Sequence, residues 1–456
     1  MINEIFYCVY HFFIIFAALF IKYLTKMVSL NRITVKGFRN IDEFSIKLND
    51  VTSLLAPNNY GKSNAMAAIS FGFLFIRSFP KTKMKMMGDQ SCISINKFIA
   101  GRPFVFEIEG SIDDSTDYHY GFSFKWKRNR KTELEEESEG RIVNEFLKIK
   151  NKSGEKPKFT KLINRADGNI AFYTPSPSGR CDKEVNIDPD ELVLNKLYNY
   201  DELFYHDYIE AIKKIEVKGV DTLSDPEELF APRVMVREGK GKLILGYNLS
   251  QYLYELKQKD GDAFELLISS ITNLIPTIES IDPIVVKTSD LEIDEDAPFE
   301  LPDQYDIIVK EKNNNQQTRF QYLSTGSMKL LNLLTKVIKA KKDNVQLLLV
   351  EELENSIHPR LLQSLLSSIN DFLGETKLLF TSHSPNLAKY LSAPQLYVGL
   401  PSEKGLVSFH TLKATKVNQA LKIAAAGEMS LGEYLFELML DLDCDSELIS
   451  EFFTIK

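Results

Sequence analysis

The stretch Leu55–Ile69 reads "LAPNNYGKSNAMAAI", in which a glycine, a lysine and a serine follow one another at the start of an apolar run. That spacing suits phosphate chemistry: a tight loop whose backbone N–H groups turn inward can wrap a polyphosphate. Gly61 would allow close approach, and Asn58 and Asn59 can visit the left-handed region that glycines usually fill. Lys62 would reach the β- and γ-phosphates of a nucleotide, and Ser63 would place its hydroxyl on Mg²⁺. Tyr60 and Asn64 complete the segment expected to cradle the nucleotide. The pattern G-x-x-x-x-G-K-[ST] is not complete, because Ala56 stands at the first glycine. A methyl is expected to be tolerated there if φ is negative. On this stretch alone, a polar turn that happens to contain GKS remains the alternative.

Three further stretches carry acids, hydroxyls or an imidazole at the ends of apolar runs. "QLLLVEELENSIHP" places a short strand, Gln346–Val350, directly before Glu351 and Glu352, where Mg²⁺ and a hydrolytic water could be handled. "KLLFTSHSPNLAKYL" is another apolar strand, ending at Ser382 and His383. "YLSTGSMKLLNLLTKVIKA" is a polar turn opening a helix, with Met328, Leu331, Leu334 and Ile338 on one face. Ser324, Gly326 and the first amides of that helix would form a second anion-binding terminus. The four scattered cysteines include no C-x-x-C pair, and the six histidines show no ligand spacing. A zinc enzyme and a disulfide framework are therefore not expected, and a reducing compartment fits.

The elements that must hold these groups can be read from periodicity. Val51–Ala56 suits a buried strand and Asn64–Phe75 a buried helix, giving the strand–loop–helix context a phosphate loop needs. Asn31–Lys36 and Phe44–Leu48 read as strands before it. Lys81–Gln90, "KTKMKMMGDQ", reads as a solvated or mobile connection. Phe104–Ile112 and Tyr118–Lys127 alternate and predict a hairpin, and Ile142–Tyr173 predicts further strands. Asp190–Ile215 and Leu249–Leu274 carry helical spacing. A strand is expected at Tyr305–Lys310 and a helix at Pro359–Leu373. The basic run "KWKRNRK" at Lys125–Lys131 adjoins an acidic block, so a solvated hairpin end is favoured over a nucleic-acid contact.

At 456 residues the chain can hold two or three domains. A net charge of −8 speaks against a generally basic nucleic-acid binder. The uncharged run Ile5–Ile21 is near the lower limit for a membrane span, roughly 17 residues. It lacks a small-residue cleavage site. The favoured expectation is that translation begins at Met27 and that the protein is cytoplasmic. A single-span anchor, with Lys22 and Lys26 keeping the rest on the cytoplasmic side, is the disfavoured alternative.

Taken together and in this order, "APNNYGKSN", "LSTGS", "LLLVEELENSIHP" and "TSHSP" resemble the Walker A, signature, Walker B with D-loop and switch-histidine motifs of ABC-class ATPase heads. More narrowly they resemble the RecF-like, structural-maintenance-of-chromosomes-like and OLD-family branch. "GFRNI" and "YNLSQYLYEL" match that branch more weakly, and the resemblance covers about Met27–Leu412. It implies an α/β fold of P-loop NTPase type, with a mixed sheet, an antiparallel β lobe and a mainly helical insertion. The expected division is an apolar segment 1–26, a first ATPase part 27–187, the insertion 188–300, a second ATPase part 301–412 and a helical tail 413–456.

The resemblance also implies roles. ATP and Mg²⁺ are the expected ligands, with Lys62 on phosphate and with Ser63 and Glu351 on the metal. Glu352 would be the general base, and His383 would sense the γ-phosphate. Ser324 and Gly326 would contact ATP held by a second copy, so the chain would close as an ATP-bridged homodimer or larger assembly. Glu351 stands where the family has aspartate, one methylene shorter, which implies slow hydrolysis.

Three function classes follow. The first is an ATP-switched regulator of a separate effector protein, a nuclease or toxin, by family analogy in anti-phage defence. OLD-type relatives carry a C-terminal Toprim nuclease, and 413–456 is expected to be too short for one. The second is an ATPase that clamps DNA. The third is a scaffold in which Glu351 has abolished turnover.

Overall fold

The computed structural model describes residues 28–88, 98–99, 101–113, 115–127, 139–153, 157–220, 234–238, 241–245, 248–287, 303–312, 317–401, 404–440 and 451–453. The segment 1–26, Gln90, the acidic block after Lys131 and the end of the tail lie outside them. The chain divides into two units, one of Arg32–Phe75, Asp89–Phe104 and Glu216–Lys456, the other of Met1–Asn31, Ile76–Gly88 and Val105–Ile215.

In the first unit the strands run in the order Val217–Val220, Leu347–Val350, Lys377–Ser382, Val51–Leu55, Leu396–Pro401, Val407–His410, Ile41–Lys47 and Val28–Phe38. The first five are mutually parallel, whereas Leu396–Pro401 pairs antiparallel with Val407–His410 and Ile41–Lys47 antiparallel with Val28–Phe38. Every residue of Val51–Leu55 and of Leu347–Val350 is buried. Strands covered on both faces must be apolar along their whole length, and these two are so except for the buried hydroxyls Thr52 and Ser53. One cluster packs Leu331, Leu334 and Val337 of helix Thr325–Lys342, and Leu365, Ile369 and Phe372 of helix Leu362–Leu373, with Leu348, Val350, Leu378 and Phe380. Helices Leu249–Lys259 and Gly261–Leu274 contribute Leu253, Leu267 and Ile271 to it. A second cluster joins Leu55, Leu396 and Val398 to Ala420, Ala424 and Leu435 of helices Val417–Ala426 and Leu431–Leu440.

This order decides where chemistry can occur. The register pairs Val350 with Phe380 and Leu55 with Ser382, so three parallel strands end side by side. Ligands of open α/β sheets bind beyond such carboxyl ends.

The second unit is antiparallel. Its strands follow the order Phe104–Ile112, Thr116–Lys125, Arg141–Asn151, Thr160–Arg165, Ile170–Tyr173 and Lys183–Asn186. Burial alternates residue by residue along Phe104–Ile112, as a sheet with one covered face requires. Lys81–Gln90 departs from expectation. Its described part is helix Pro80–Gly88, and Lys83, Met86 and Met87 are buried. Burial pushes the Lys83 ammonium down to about 8, against the pull of the Glu145 charge. Glu145 is itself buried, and it accepts Tyr120 Oη at 3.0 Å and the backbone N–H groups of Val193 and Leu194 at 2.6 and 2.9 Å. A lysine-rich stretch thus becomes a helix with one buried face, on which the Lys83 ammonium donates to the Ser78 carbonyl while Lys81, Thr82, Met84 and Lys85 stay exposed.

Within 188–300, helices Val193–Leu197, His206–Lys214, Leu249–Lys259 and Gly261–Leu274 are joined by strands Val217–Val220, Val234–Glu238, Gly241–Leu245 and Ile278–Val286. The fold class is the one anticipated, an α/β P-loop architecture with a large mixed sheet and an antiparallel β lobe. Among the described residues no helix is long and apolar enough to cross a membrane.

Candidate functional site: a phosphate loop beside paired carboxylates

The loop after Val51–Leu55 runs into helix Lys62–Arg77. Gly61 has φ +71°, and a Cβ there would come within 3.1 Å of Asn40 Oδ1 and Ile41 Cδ1, so the position requires glycine. Asn59 adopts φ +69°, the left-handed conformation expected of it, while Asn58 does not. Ala56 is likewise absent from the positive-φ residues, so its methyl costs no backbone strain. Space for that methyl comes from the neighbouring strand, because a Cβ on Gly399 would lie 2.9 Å from Ala56 Cβ and 3.0 Å from the Phe409 ring. Gly399→Ala is therefore expected to lower unfolding stability by about 1–3 kcal/mol through overpacking. Ala56→Gly in the same chain should restore part of the loss, read as the denaturant midpoint.

The ammonium of Lys62 donates to the carbonyls of Ala56 at 2.7 Å and Pro57 at 2.9 Å, folded over the strand end. Burial lowers its pKa, and the charges of Glu352, Glu354 and Glu351 oppose that shift. Ser63 Oγ donates to Glu351 Oε2 at 2.7 Å. A hydroxyl and a carboxylate in contact at a helix N-terminus supply the oxygen donors Mg²⁺ takes from protein, the rest of its octahedron being water and phosphate. The two residues present therefore fit the ion. The side chain of Asn64 is engaged elsewhere, donating to Asn40 Oδ1 at 2.7 Å and accepting from Arg39 at 2.9 Å. Any contact of Asn64 with phosphate thus falls to its backbone. Tyr60 closes the turn, its N–H bonded to the Pro57 carbonyl at 3.4 Å.

Glu352 has φ +48°, uncommon for a residue with a side chain and costing of order 1–2 kcal/mol. Its N–H is held by Thr381 Oγ1 at 2.9 Å. His383 Nδ1 lies 3.8 Å from Glu352 Oε1 and 3.5 Å from Glu354 Oε1. Lys62, Ser63, Glu351, Glu352 and His383 therefore gather at one end of the sheet, although Ser63 and Glu351 are 288 positions apart. Glu354, Thr381, Arg39 and Asn40 were not singled out from the sequence. The one available signal was that all four lie inside stretches already marked, Arg39 and Asn40 in "GFRNI", Glu354 in "QLLLVEELENSIHP" and Thr381 in "KLLFTSHSPNLAKYL".

Ser324 and Gly326 form a separate group. Ser324 caps helix Thr325–Lys342, its Oγ accepting the Ser327 N–H at 3.2 Å, and is itself exposed. A Cβ on Gly326 would lie 2.6 Å from the Ser356 carbonyl oxygen, so this turn abuts the segment following the two carboxylates. An exposed capped helix start offers backbone N–H groups to an anion approaching from outside.

A family model described as AAA ATPase domain matches residues 29–388. No curated protein matches the chain. Among solved structures it is similar to an SMC head bound to the C-winged helix domain of ScpA, at 12% identity, covering 86% of this chain and 99% of that one, with a TM-score of 0.43. It is similar to the SMC head domain of Thermotoga maritima at 11% identity, covering 85% and 100%, with a TM-score of 0.34. A third is the Pyrococcus furiosus Smc head with an extended coiled coil bound to the C-terminal domain of ScpA, at 11% identity, 87% and 99% coverage and a TM-score of 0.36.

Proposed function

The chain belongs to the AAA ATPase domain family, and on that premise we propose that it binds ATP with Mg²⁺ and hydrolyses it to ADP and phosphate. The observation that carries this reading is the Ser63–Glu351 contact at 2.7 Å, with Lys62 and Glu352 beside it. Lys62 exchanges its two carbonyl partners for phosphate oxygens, a stronger charge-assisted contact. Ser63 and Glu351 hold the ion, which neutralises charge developing on the phosphates. Glu352 orients a water and accepts its proton as the oxygen attacks the γ-phosphorus and ADP departs. His383 contacts the γ-phosphate.

Ser324 and Gly326 act on the nucleotide of a second copy, so that ATP is part of the interface and its hydrolysis releases the pair. Differential binding of ATP to open and closed pairs then turns nucleotide state into shape. The closed pair acts on a separate effector protein, a reading that rests on the motif resemblance.

Complementation tests the shared site. Lys62→Ala disables the loop and Ser324→Arg the exposed helix start. Each variant alone should hydrolyse poorly, and their equimolar mixture should hydrolyse faster than either, because a mixed pair contains one intact composite site. A mixture no faster than the average of the two overturns the shared site.

A further inference from the structure

The reaction described above assigns nothing to Glu354. Its side chain is only 9% exposed, and Oε1 accepts two hydrogen bonds, from Ser382 Oγ at 2.8 Å and from the His383 N–H at 3.0 Å. The same oxygen lies 3.5 Å from His383 Nδ1. Glu354 Oε2 and His383 Nδ1 are both buried, and neither makes a hydrogen bond among the described residues. Buried polar atoms of two groups this close normally satisfy one another. A small rotation of ring or carboxylate turns the contact into an Nδ1–H···O bond. The His383 side chain is 41% exposed although Nδ1 is buried, so its exposure belongs to the rest of the ring.

We propose that Glu354 is a positioning residue for ATP hydrolysis, bracing the Ser382–His383 peptide through one oxygen and holding the imidazole by Nδ1, so that Nε2 is the nitrogen offered to the nucleotide. A carboxylate that takes one ring N–H sets both tautomer and orientation of the imidazole. The bracing also ties the turn after Leu347–Val350 to the end of Lys377–Ser382, the two strands that deliver Glu352 and His383. The inference rests on the ATPase reading.

Two measurements test it. In steady-state kinetics, Glu354→Ala and His383→Ala should each lower kcat about 10- to 100-fold, the scale of a misplaced catalytic group. KM for ATP should stay within about twofold of the parent, since an interaction used only in the transition state is lost. The double variant should be no slower than His383→Ala alone. Glu354→Gln keeps an acceptor for Ser382 and for the His383 N–H but loses the charge facing Nδ1, so it should retain the fold and still lose kcat. Independently of nucleotide, nitrogen NMR of the ATP-free protein should show His383 protonated on Nδ1 in the parent and shifted toward the other tautomer in Glu354→Gln. His383→Ala identifies the resonance. Equal fold-losses on removing Glu354 with and without His383 present, or the same tautomer in parent and Glu354→Gln, would overturn the proposal. If the parent does not hydrolyse ATP, the ATPase reading fails, and the tautomer comparison still decides whether Glu354 holds the ring.

Discussion

Glu352→Gln is expected to stop phosphate release while leaving ATP binding in place. The substitution keeps the length of the side chain and removes the proton acceptor, which for general base catalysis is worth about 10²–10⁴ in rate. The hydrogen bonds of the loop remain, because Lys62 and Ser63 bond to Ala56, Pro57 and Glu351 rather than to Glu352, and the Glu351 and Glu354 charges still oppose the burial of the Lys62 ammonium. The backbone of the variant is held as in the parent by the Thr381 hydroxyl, so the φ of +48° persists. With ATP trapped, the proposed pair should accumulate as a long-lived species in light scattering. Glu351→Gln should differ in kind. Its carbonyl oxygen can still accept from Ser63, but the negative charge beside the ion is gone, so Mg²⁺-dependent ATP affinity should fall instead of a complex building up. Parallel assays of phosphate release and scattering separate the two. Hydrolysis by Glu352→Gln at the parental rate would mean that another group activates the water.

Lys62→Ala should weaken ATP binding with the fold intact. A hydrogen bond to a charged group contributes about 1.5–3 kcal/mol, so a loss of roughly 10- to 150-fold in affinity is expected by calorimetry. The ammonium sits on carbonyls of its own loop, in a setting where burial already disfavours its charge. Removing it therefore relieves a desolvation cost as well as deleting two hydrogen bonds, and the thermal midpoint should move little. Unchanged ATP affinity in this variant would remove the phosphate-loop assignment.

Local sequence determined what the chain could state within one turn of backbone. The strand–loop–helix around Gly61 was legible because a buried strand, a left-handed Asn59 and a helix start are neighbours in sequence. The apolar runs ending in Glu351–Glu352 and in Ser382–His383 were legible for the same reason, since strands buried on both faces leave continuous hydrophobic stretches. Tertiary structure decided everything that depends on which strands pair. Parallel neighbours need long crossovers, so Ser63 meets Glu351 across 288 positions, and no local pattern encodes that contact. The bracing role of Glu354 was hidden because its partners, Ser382 and His383, belong to another strand. The room for Ala56 was hidden because it is made by the missing side chain of Gly399, on the strand paired with Val51–Leu55. Helix Pro80–Gly88 looked like a solvated linker because a lysine in sequence is read as exposed, whereas in the fold Lys83 is buried with its ammonium on the Ser78 carbonyl and the Glu145 charge of a distant strand opposing the effect of burial. Charge and polarity are written in the sequence, but whether they face water is settled by partners that only the fold brings within reach.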